Sequence, residues 1–84
     1  MNDTEPLISL SLDEEGFLIS IPEHTSVSRR LLDLGFIPGT HIRCALVGPH
    51  AELAAYRIRG TTIALRKEDA SQIVIHRYRP GGQS

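Results

Sequence analysis

Cysteine, tryptophan and long apolar runs are what this sequence of 84 residues has least of. The single cysteine, Cys44, excludes an intramolecular disulfide and any zinc module built from several thiolates. A reducing compartment suits such a chain best, and we predict a cytoplasmic protein. The apolar runs are only a few residues long and no basic, apolar leader opens the chain, so we expect neither a membrane span nor a secretion signal.

The sequence also lacks the short motifs that carry common catalytic chemistry. No P-loop, HExxH, GxSxG or Gly-rich dinucleotide fingerprint occurs. The acidic residues 13–15 cluster in one predicted turn and do not face one another across a cleft. We therefore predict a protein that is not an enzyme and that requires no cofactor.

The length and composition predict one folded domain with one small core. Hydrophobic residues make up 40% of the chain and charged residues 23%, a balance typical of globular proteins. We predict that the domain spans residues 7–77, between flexible termini at 1–6 and 78–84. A homo-oligomer is left open.

Charge is distributed unevenly along the chain, although the formal net charge is only −1. Residues 1–28 contain six acidic residues and no Lys or Arg, whereas residues 29–84 contain nine basic and four acidic residues. A basic face would survive in the folded protein unless the acidic strands lie beside the basic ones. Because antiparallel pairing commonly sets opposite charges across from each other, we favour mutual cancellation.

Apolar residues alternate with polar ones in several short stretches, which is the pattern of β-strands with one buried face. Residues 8–12 and 17–21 show this alternation on either side of a turn, so they predict a hairpin. The inward residues of this hairpin would be Ile8, Leu10, Leu12, Phe17, Ile19 and Ile21. The same pattern predicts further strands at 42–46, 54–58, 61–65 and 73–75, with a chain reversal at Gly60.

Between Thr25 and Gly35 the apolar period changes from two residues to that of an amphipathic helix. The inward stripe would be Val27, Leu31 and Leu34, and the outer face would carry Arg29 and Arg30. Thr25 or Ser26 can cap the first N–H groups, and Gly35 is placed to close the helix in the left-handed conformation.

The order of these motifs resembles the FeoA family over roughly residues 7–76. The run LLDLGFIPGT at 31–40 is followed by an RG turn at 59–60, ALR at 64–66 and ASQIV at 70–74. The positions that carry the structural motif are Leu31, Leu34, Gly35, Pro38, Gly39, Gly60 and Leu65. The sequence departs from the family pattern at 51–53, where Ala-Glu-Leu replaces a Gly-Asp-Pro loop.

The resemblance implies a mainly β fold, a small SH3-like barrel of five to six short strands with one short helix inserted after the first hairpin. It also implies a non-enzymatic accessory protein of bacterial ferrous iron uptake that docks onto the cytoplasmic part of the FeoB-type transporter. The same pattern occurs in the C-terminal domain of metal-dependent repressors. A detached repressor domain or a small-barrel nucleic-acid binder is therefore the alternative.

A basic stripe could in principle serve such a nucleic-acid binder. Its members would be Arg57, Arg59, Arg66 and Lys67. Nucleic-acid grooves interleave basic residues with exposed aromatic rings, and Phe17 and Tyr56 both fall on predicted apolar faces. We therefore expect a solvated barrel face and no nucleic-acid partner.

The loop after the helix is the predicted docking site. Phe36 and Ile37 lie between Gly35 and Pro38, and the helical stripe already supplies apolar residues, so at least one of the two should be exposed as an interface anchor. Arg29 and Arg30 would supply a charged rim. The alternative for Phe36 is that it plugs one end of the barrel.

His24, His50 and Glu52 are the candidate metal ligands. His50 and Glu52 are two residues apart, so an extended segment would aim both side chains to one side. A weakly bound divalent transition metal is one interpretation, and ordinary surface histidines are the other. Cys44 shares a face with Ile42 and is predicted to be a buried, inert thiol.

Overall fold

The computed structural model describes residues 4–23 and 25–78 of the chain. The elements of this part are β1 (Thr4–Pro6), β2 (Glu15–Ser20), α1 (Ser26–Asp33), β3 (His41–Val47), β4 (Leu53–Ile58), β5 (Thr61–Arg66), α2 (Lys67–Ala70) and β6 (Val74–Arg77). Two short 3₁₀ helices lie at Leu7–Ser9 and Pro49–Ala51. No helix in the described ranges is long and apolar enough to cross a membrane.

The strands form one antiparallel sheet in the order β1-β6-β2-β3-β4-β5. Residues from all strands except β1, together with α1 and α2, join a single core cluster. A six-stranded sheet can share one core only if it bends around that core, so the sheet is curved. The predicted mainly β fold with one short helix of two turns is confirmed.

The predicted first hairpin is wrong. Residues 8–12 do not form a strand. In the stretch from Leu7 to Leu12, Leu7 and Leu10 are buried, whereas Leu12 is 55% exposed. Two buried leucines three residues apart match the 3₁₀ period and not the two-residue period of a strand. The first strand is β1, which pairs with β6 and not with β2.

β1 lies inside the segment 1–6 that the sequence analysis predicted as a flexible terminus. At the other end, the Tyr78 N–H donates to the Glu15 carbonyl over 2.9 Å. The rest of the predicted tail, 79–84, and residues 1–3 lie outside the described residues.

The buried face of β2 is the opposite of the predicted one. Leu18 is 1% exposed, whereas Phe17 is 36% and Ile19 is 43% exposed. Gly16, which lies on the same face as Leu18, explains why this face is buried, because a Cβ on Gly16 would lie 3.0 Å from Ile75 Cδ1. Glycine therefore gives β6 room to pack on the inner face, and a one-residue shift moves every side chain of the strand to the other face.

A β-bulge changes the face of β3. The register shifts between Cys44 and Leu46, so that Cys44 is fully buried while Leu46 is 61% exposed. The predicted alternation holds up to the bulge and is wrong at Leu46, because the extra residue turns the following side chain outward.

The helix and the two predicted glycine turns are confirmed. Thr25 and Ser28 form a capping box in which each side chain accepts the other's backbone N–H, at 3.1 and 3.2 Å. Gly35 follows the helix at φ +104. Gly60, at φ +81, closes a two-residue turn with Arg59 at φ 53, the type I′ geometry that matches strand twist.

The acidic and basic segments do lie beside each other, as expected. Arg77 on β6 binds Glu5 at 2.7 Å and Glu14 at 2.6 Å, which holds the pKa of Arg77 above its usual value. Arg43 lies 3.3 Å from Asp13. The acidic first third of the chain therefore neutralises the basic residues nearest to it.

Tyr56 is the largest side chain in the core, and it is fully buried. Its hydroxyl has no hydrogen-bond partner among the described residues. Burial, with a smaller contribution from Cys44, raises the pKa of Tyr56 to about 12. The ring therefore stabilises the core while its hydroxyl costs free energy.

We expect Gly35→Val to lower the free energy of unfolding by about 1 kcal/mol or more, because a β-branched residue is strained at positive φ. A Cβ at Gly35 would also approach the Arg59 Cδ atom to 2.6 Å. Denaturant unfolding measures the loss. Gly39→Val is the matched control, because Gly39 also has positive φ, +91, but open space around it, so this variant should lose less stability than Gly35→Val. Wild-type stability of Gly35→Val would contradict the helix-closing role.

We expect Tyr56→Phe to leave the free energy of unfolding unchanged or to raise it by about 1 kcal/mol, because it removes an unpaired buried hydroxyl. The fold favours the neutral phenol, so wild-type stability should be full below pH 10 and decline as the pH rises through about 12. Tyr56→Phe should lack this alkaline loss, and Tyr78→Phe, at an exposed position, should retain it. Urea melts between neutral and alkaline pH test both statements.

Candidate docking surface

A groove of about 530 Å³ lies between the end of β2 and the outer side of α1. It is lined by Ile19, Ser20, Ile21, Pro22, Glu23, Ser28, Leu32 and Pro38. Most of these residues are apolar, and Leu32 is 50% exposed on the helix. We call this surface the β2–α1 groove. An exposed apolar groove with a polar rim is typical of surfaces that bind other proteins.

The β2 side of the β2–α1 groove exists because of the face that β2 buries. With Leu18 in the core, Ile19 projects outward next to α1. On the helix, Leu31 fills the core at 1% exposure and leaves its neighbour Leu32 on the outside. In both pairs one apolar side chain enters the core and its neighbour is left at the surface.

Phe36 is a core residue and not an exposed anchor. It is completely buried, so the alternative that it plugs the barrel holds and its predicted docking role is wrong. Its N–H donates to the Leu31 carbonyl over 2.9 Å at the end of the helix. Replacing a buried phenylalanine costs about 3 to 5 kcal/mol, so a Phe36 variant would report on folding and not on docking.

Ile37 is the exposed member of the predicted pair, at 47%. Its loop is held by backbone hydrogen bonds, since the Ile37 N–H donates to Gly35 at 2.8 Å and the Gly39 N–H donates to Leu18 at 2.7 Å. Pro38, the next residue, lines the β2–α1 groove. An apolar side chain on a rigid loop loses little entropy when a partner covers it.

Arg29 and Arg30 are exposed on the outer side of α1, as the helical period predicted. Arg29 follows Ser28 and precedes Leu32 by three residues, so it is a surface neighbour of the β2–α1 groove. Ile37 and Arg29 are thus each adjacent in sequence to a residue that lines the groove, Pro38 and Ser28. Ile19 and Leu32 were missed by the sequence analysis, and the signals that could have found them are the adjacent pairs Leu18-Ile19 and Leu31-Leu32.

The structure brings two of the three predicted metal ligands to one surface pocket. His50 and Glu52 line a second surface pocket, and the Lys67 and Arg66 side chains line it too. Glu68 lines it as well, so two carboxylates and two cations share the pocket with His50. The described residues contain no group of three or more His, Cys, Asp or Glu side chains that could hold a metal ion. His24 lies outside the described residues.

Chelation should leave the thermal unfolding midpoint of the protein unchanged, because the apolar core needs no metal to close. The measurement is a melt followed by circular dichroism with and without EDTA. A drop of many degrees that one equivalent of zinc reverses would contradict this expectation and direct attention to His24, His50 and Glu52.

Solved structures share this fold. The NMR structure of a FeoA-like protein from Clostridium acetobutylicum is 25% identical, with a TM-score of 0.84, and the match covers 100% of this chain and 98% of that chain. The structure of Stenotrophomonas maltophilia FeoA complexed with zinc, described as a prokaryotic SH3 domain protein, is 27% identical, with a TM-score of 0.76 and coverage of 88% and 95%. The predicted SH3-like class is thereby confirmed.

A manganese-dependent transcriptional repressor also shares the fold, with a TM-score of 0.82 at 16% identity, but the match covers only 38% of that protein. At this identity the likeness concerns the fold alone. No curated protein matches the chain.

The family comparison agrees with the structural one. A family model described as the FeoA domain matches residues 5–77, which includes the helix, all the long strands and the two predicted glycine turns. The chain therefore belongs to the FeoA family, whose members are accessory proteins associated with ferrous iron transport.

Proposed function

We propose that this FeoA-family chain is a non-enzymatic accessory protein of bacterial ferrous iron uptake that docks onto the cytoplasmic part of a FeoB-type transporter. Family membership supports the association with iron transport. The homologous Stenotrophomonas maltophilia protein is described as a candidate ferrous iron transport activating factor. Docking on the cytoplasmic side would place this chain in the cytoplasm.

The observation that carries the docking proposal is the β2–α1 groove. The groove exposes apolar side chains that the core does not use, above all Leu32 and Ile19. Burial of such side chains by a partner contributes about 25 cal/mol for each Å² removed from water. Ile37, on its rigid loop, would add an anchor beside the groove, and Arg29 would add a charged rim.

The chemistry of the described residues supports a binding role and not a catalytic one. The shifted pKa values belong to structural groups: Tyr56 and Cys44 are raised mainly by burial, and Glu14 is lowered by the Ser11 backbone N–H and by Arg77. None of these groups lines either surface pocket described above. In active sites, groups with shifted pKa values commonly cluster in a cleft, and these groups do not.

We also propose that docking requires no bound metal. His50 and Glu52 lie with Arg66 and Lys67 in a pocket that the docking residues do not line. A divalent ion bound weakly there would leave the β2–α1 groove unchanged. Binding to the transporter should accordingly be insensitive to EDTA.

The test compares Leu32→Ser, Ile37→Ser and Arg29→Glu with wild type, using binding to the purified cytoplasmic domain of the cognate transporter. We expect Leu32→Ser or Ile37→Ser to weaken binding by at least about fivefold, since truncation of an interface anchor costs more than about 1 kcal/mol. All three residues are exposed, so thermal midpoints should stay near the wild-type value.

Leu46→Ser is the matched control, because Leu46 is also an exposed leucine but lies on β3, and it does not line the groove. It should bind as wild type does. If the three groove variants stay folded and still bind at wild-type strength, the β2–α1 groove is not the interface. If Leu46→Ser weakens binding as much as Leu32→Ser does, binding reports general surface hydrophobicity and the assignment also fails.

A further inference from the structure

The outer edge of β5 carries backbone groups that point away from the rest of the sheet. β5 is last in the strand order and pairs on one side only, with β4. In the β4–β5 hairpin the pair Ile58 and Thr61 flanks a two-residue turn, so it exchanges hydrogen bonds, and the pairs that follow alternate. The bond from the Lys67 N–H to the Glu52 carbonyl, 3.0 Å, agrees with this alternation.

The alternation directs the N–H and C=O groups of Thr62 and Ala64, and the N–H of Arg66, away from β4. No described residue forms a hydrogen bond with these groups. All three residues are exposed, and β4 is the only strand of the described chain that pairs with β5. An open edge of this kind is a template on which another extended segment can pair.

Two arginines flank this edge on the outer face of the sheet. Arg57 lies opposite Thr62, and its guanidinium donates to the Thr62 hydroxyl over 3.1 Å, which holds it over β5. Arg66 lies on β5, four residues after Thr62. Among the described residues, no carboxylate oxygen lies within 4.0 Å of either guanidinium. Arg43, opposite Arg57 on β3, is by contrast paired with Asp13.

Small side chains lie between the two arginines on this face of the sheet. Ala64 pairs with Ala55 at this point, so side chains of an added strand would have room. The exposed aromatic residues of the described chain, Phe17 and Tyr78, lie on β2 and next to β6, away from β5 in the sheet order. Base stacking needs such rings near the basic residues, so these features favour a peptide over a single-stranded nucleic acid.

We propose that this β5 edge, formed by the backbone of residues 62–66 with the side chains of Arg57 and Arg66, binds an extended acidic segment of a partner protein as an added strand. The segment would pair its backbone with Thr62 and Ala64. It would carry two carboxylates on one face, four residues or about 13 Å apart, to meet the two guanidinium groups. The site is distinct from the β2–α1 groove and would add a second point of contact.

The test uses the probe peptide acetyl-VEVTVEV-amide, which places glutamates four residues apart on one face. Binding is followed by NMR on the full-length protein. We expect the backbone amide signals of Thr62, Ala64 and Arg66 to shift and their hydrogen exchange to slow. Ala64→Pro removes one outward N–H without removing a bond to β4, and should weaken binding by about tenfold. Ala64→Val keeps that N–H and is the matched control.

A charge exchange tests the same site without proline. Arg57→Glu should weaken binding of the glutamate peptide and strengthen binding of acetyl-VKVTVKV-amide. The proposal is overturned if the glutamate peptide does not bind, if both Ala64→Pro and Arg57→Glu bind it as wild type does, or if the shifted amides lie in the β2–α1 groove. Tighter binding of oligo-dT than of the peptide, with shifts at Arg57 and Arg66, would assign this edge to nucleic acid instead.

Discussion

The structure depends on the position of β6, which enters the sheet between β1 and β2. β6 therefore pairs with an early strand on each side. Ile75 lies opposite Glu5 of β1 and opposite Leu18 of β2. Gly16 permits the close approach, since a Cβ there would lie 2.8 Å from the His76 carbonyl oxygen. Arg77 then binds Glu5 and Glu14, one carboxylate from each side of the strand.

The docking surface follows from that arrangement. Because Gly16 and Leu18 face the core, Ile19 faces outward and forms one wall of the β2–α1 groove. The β2 strand also holds the loop after the helix, through the bond from the Gly39 N–H to the Leu18 carbonyl. The same choice of face therefore exposes one apolar wall and positions the loop that carries Ile37 next to it.

Charge neutralisation is confined to one part of the sheet. The ion pairs join the acidic early segments to β3 and β6 and leave Arg57 and Arg66 without a carboxylate partner among the described residues. These two arginines therefore place exposed positive charge beside the β5 edge. A surface with this charge and an open strand edge suits an acidic extended partner, whereas the apolar β2–α1 groove suits hydrophobic anchors.

Local patterns in the sequence determined the elements that depend on near neighbours. The period from Thr25 to Gly35 determined the helix and its cap. Glycine at 35 and 60 indicated where the chain turns, because glycine adopts positive φ without the Cβ clash that other residues meet. The buried thiol of Cys44 and the buried ring of Tyr56 also followed from alternation. The motif order from residue 31 to 74 was sufficient to indicate the family.

Only the tertiary structure decided which face of each apolar stretch is buried. In β2 both faces carry apolar residues, so alternation alone could not choose between Phe17 and Leu18, and the packing of β6 against Gly16 made the choice. A bulge turned Leu46 outward, and Phe36 is buried in the core of this chain and not exposed for a partner. Strand partners that are distant in sequence set these outcomes, because a side chain's environment depends on what packs against it and not on its own neighbours in the chain.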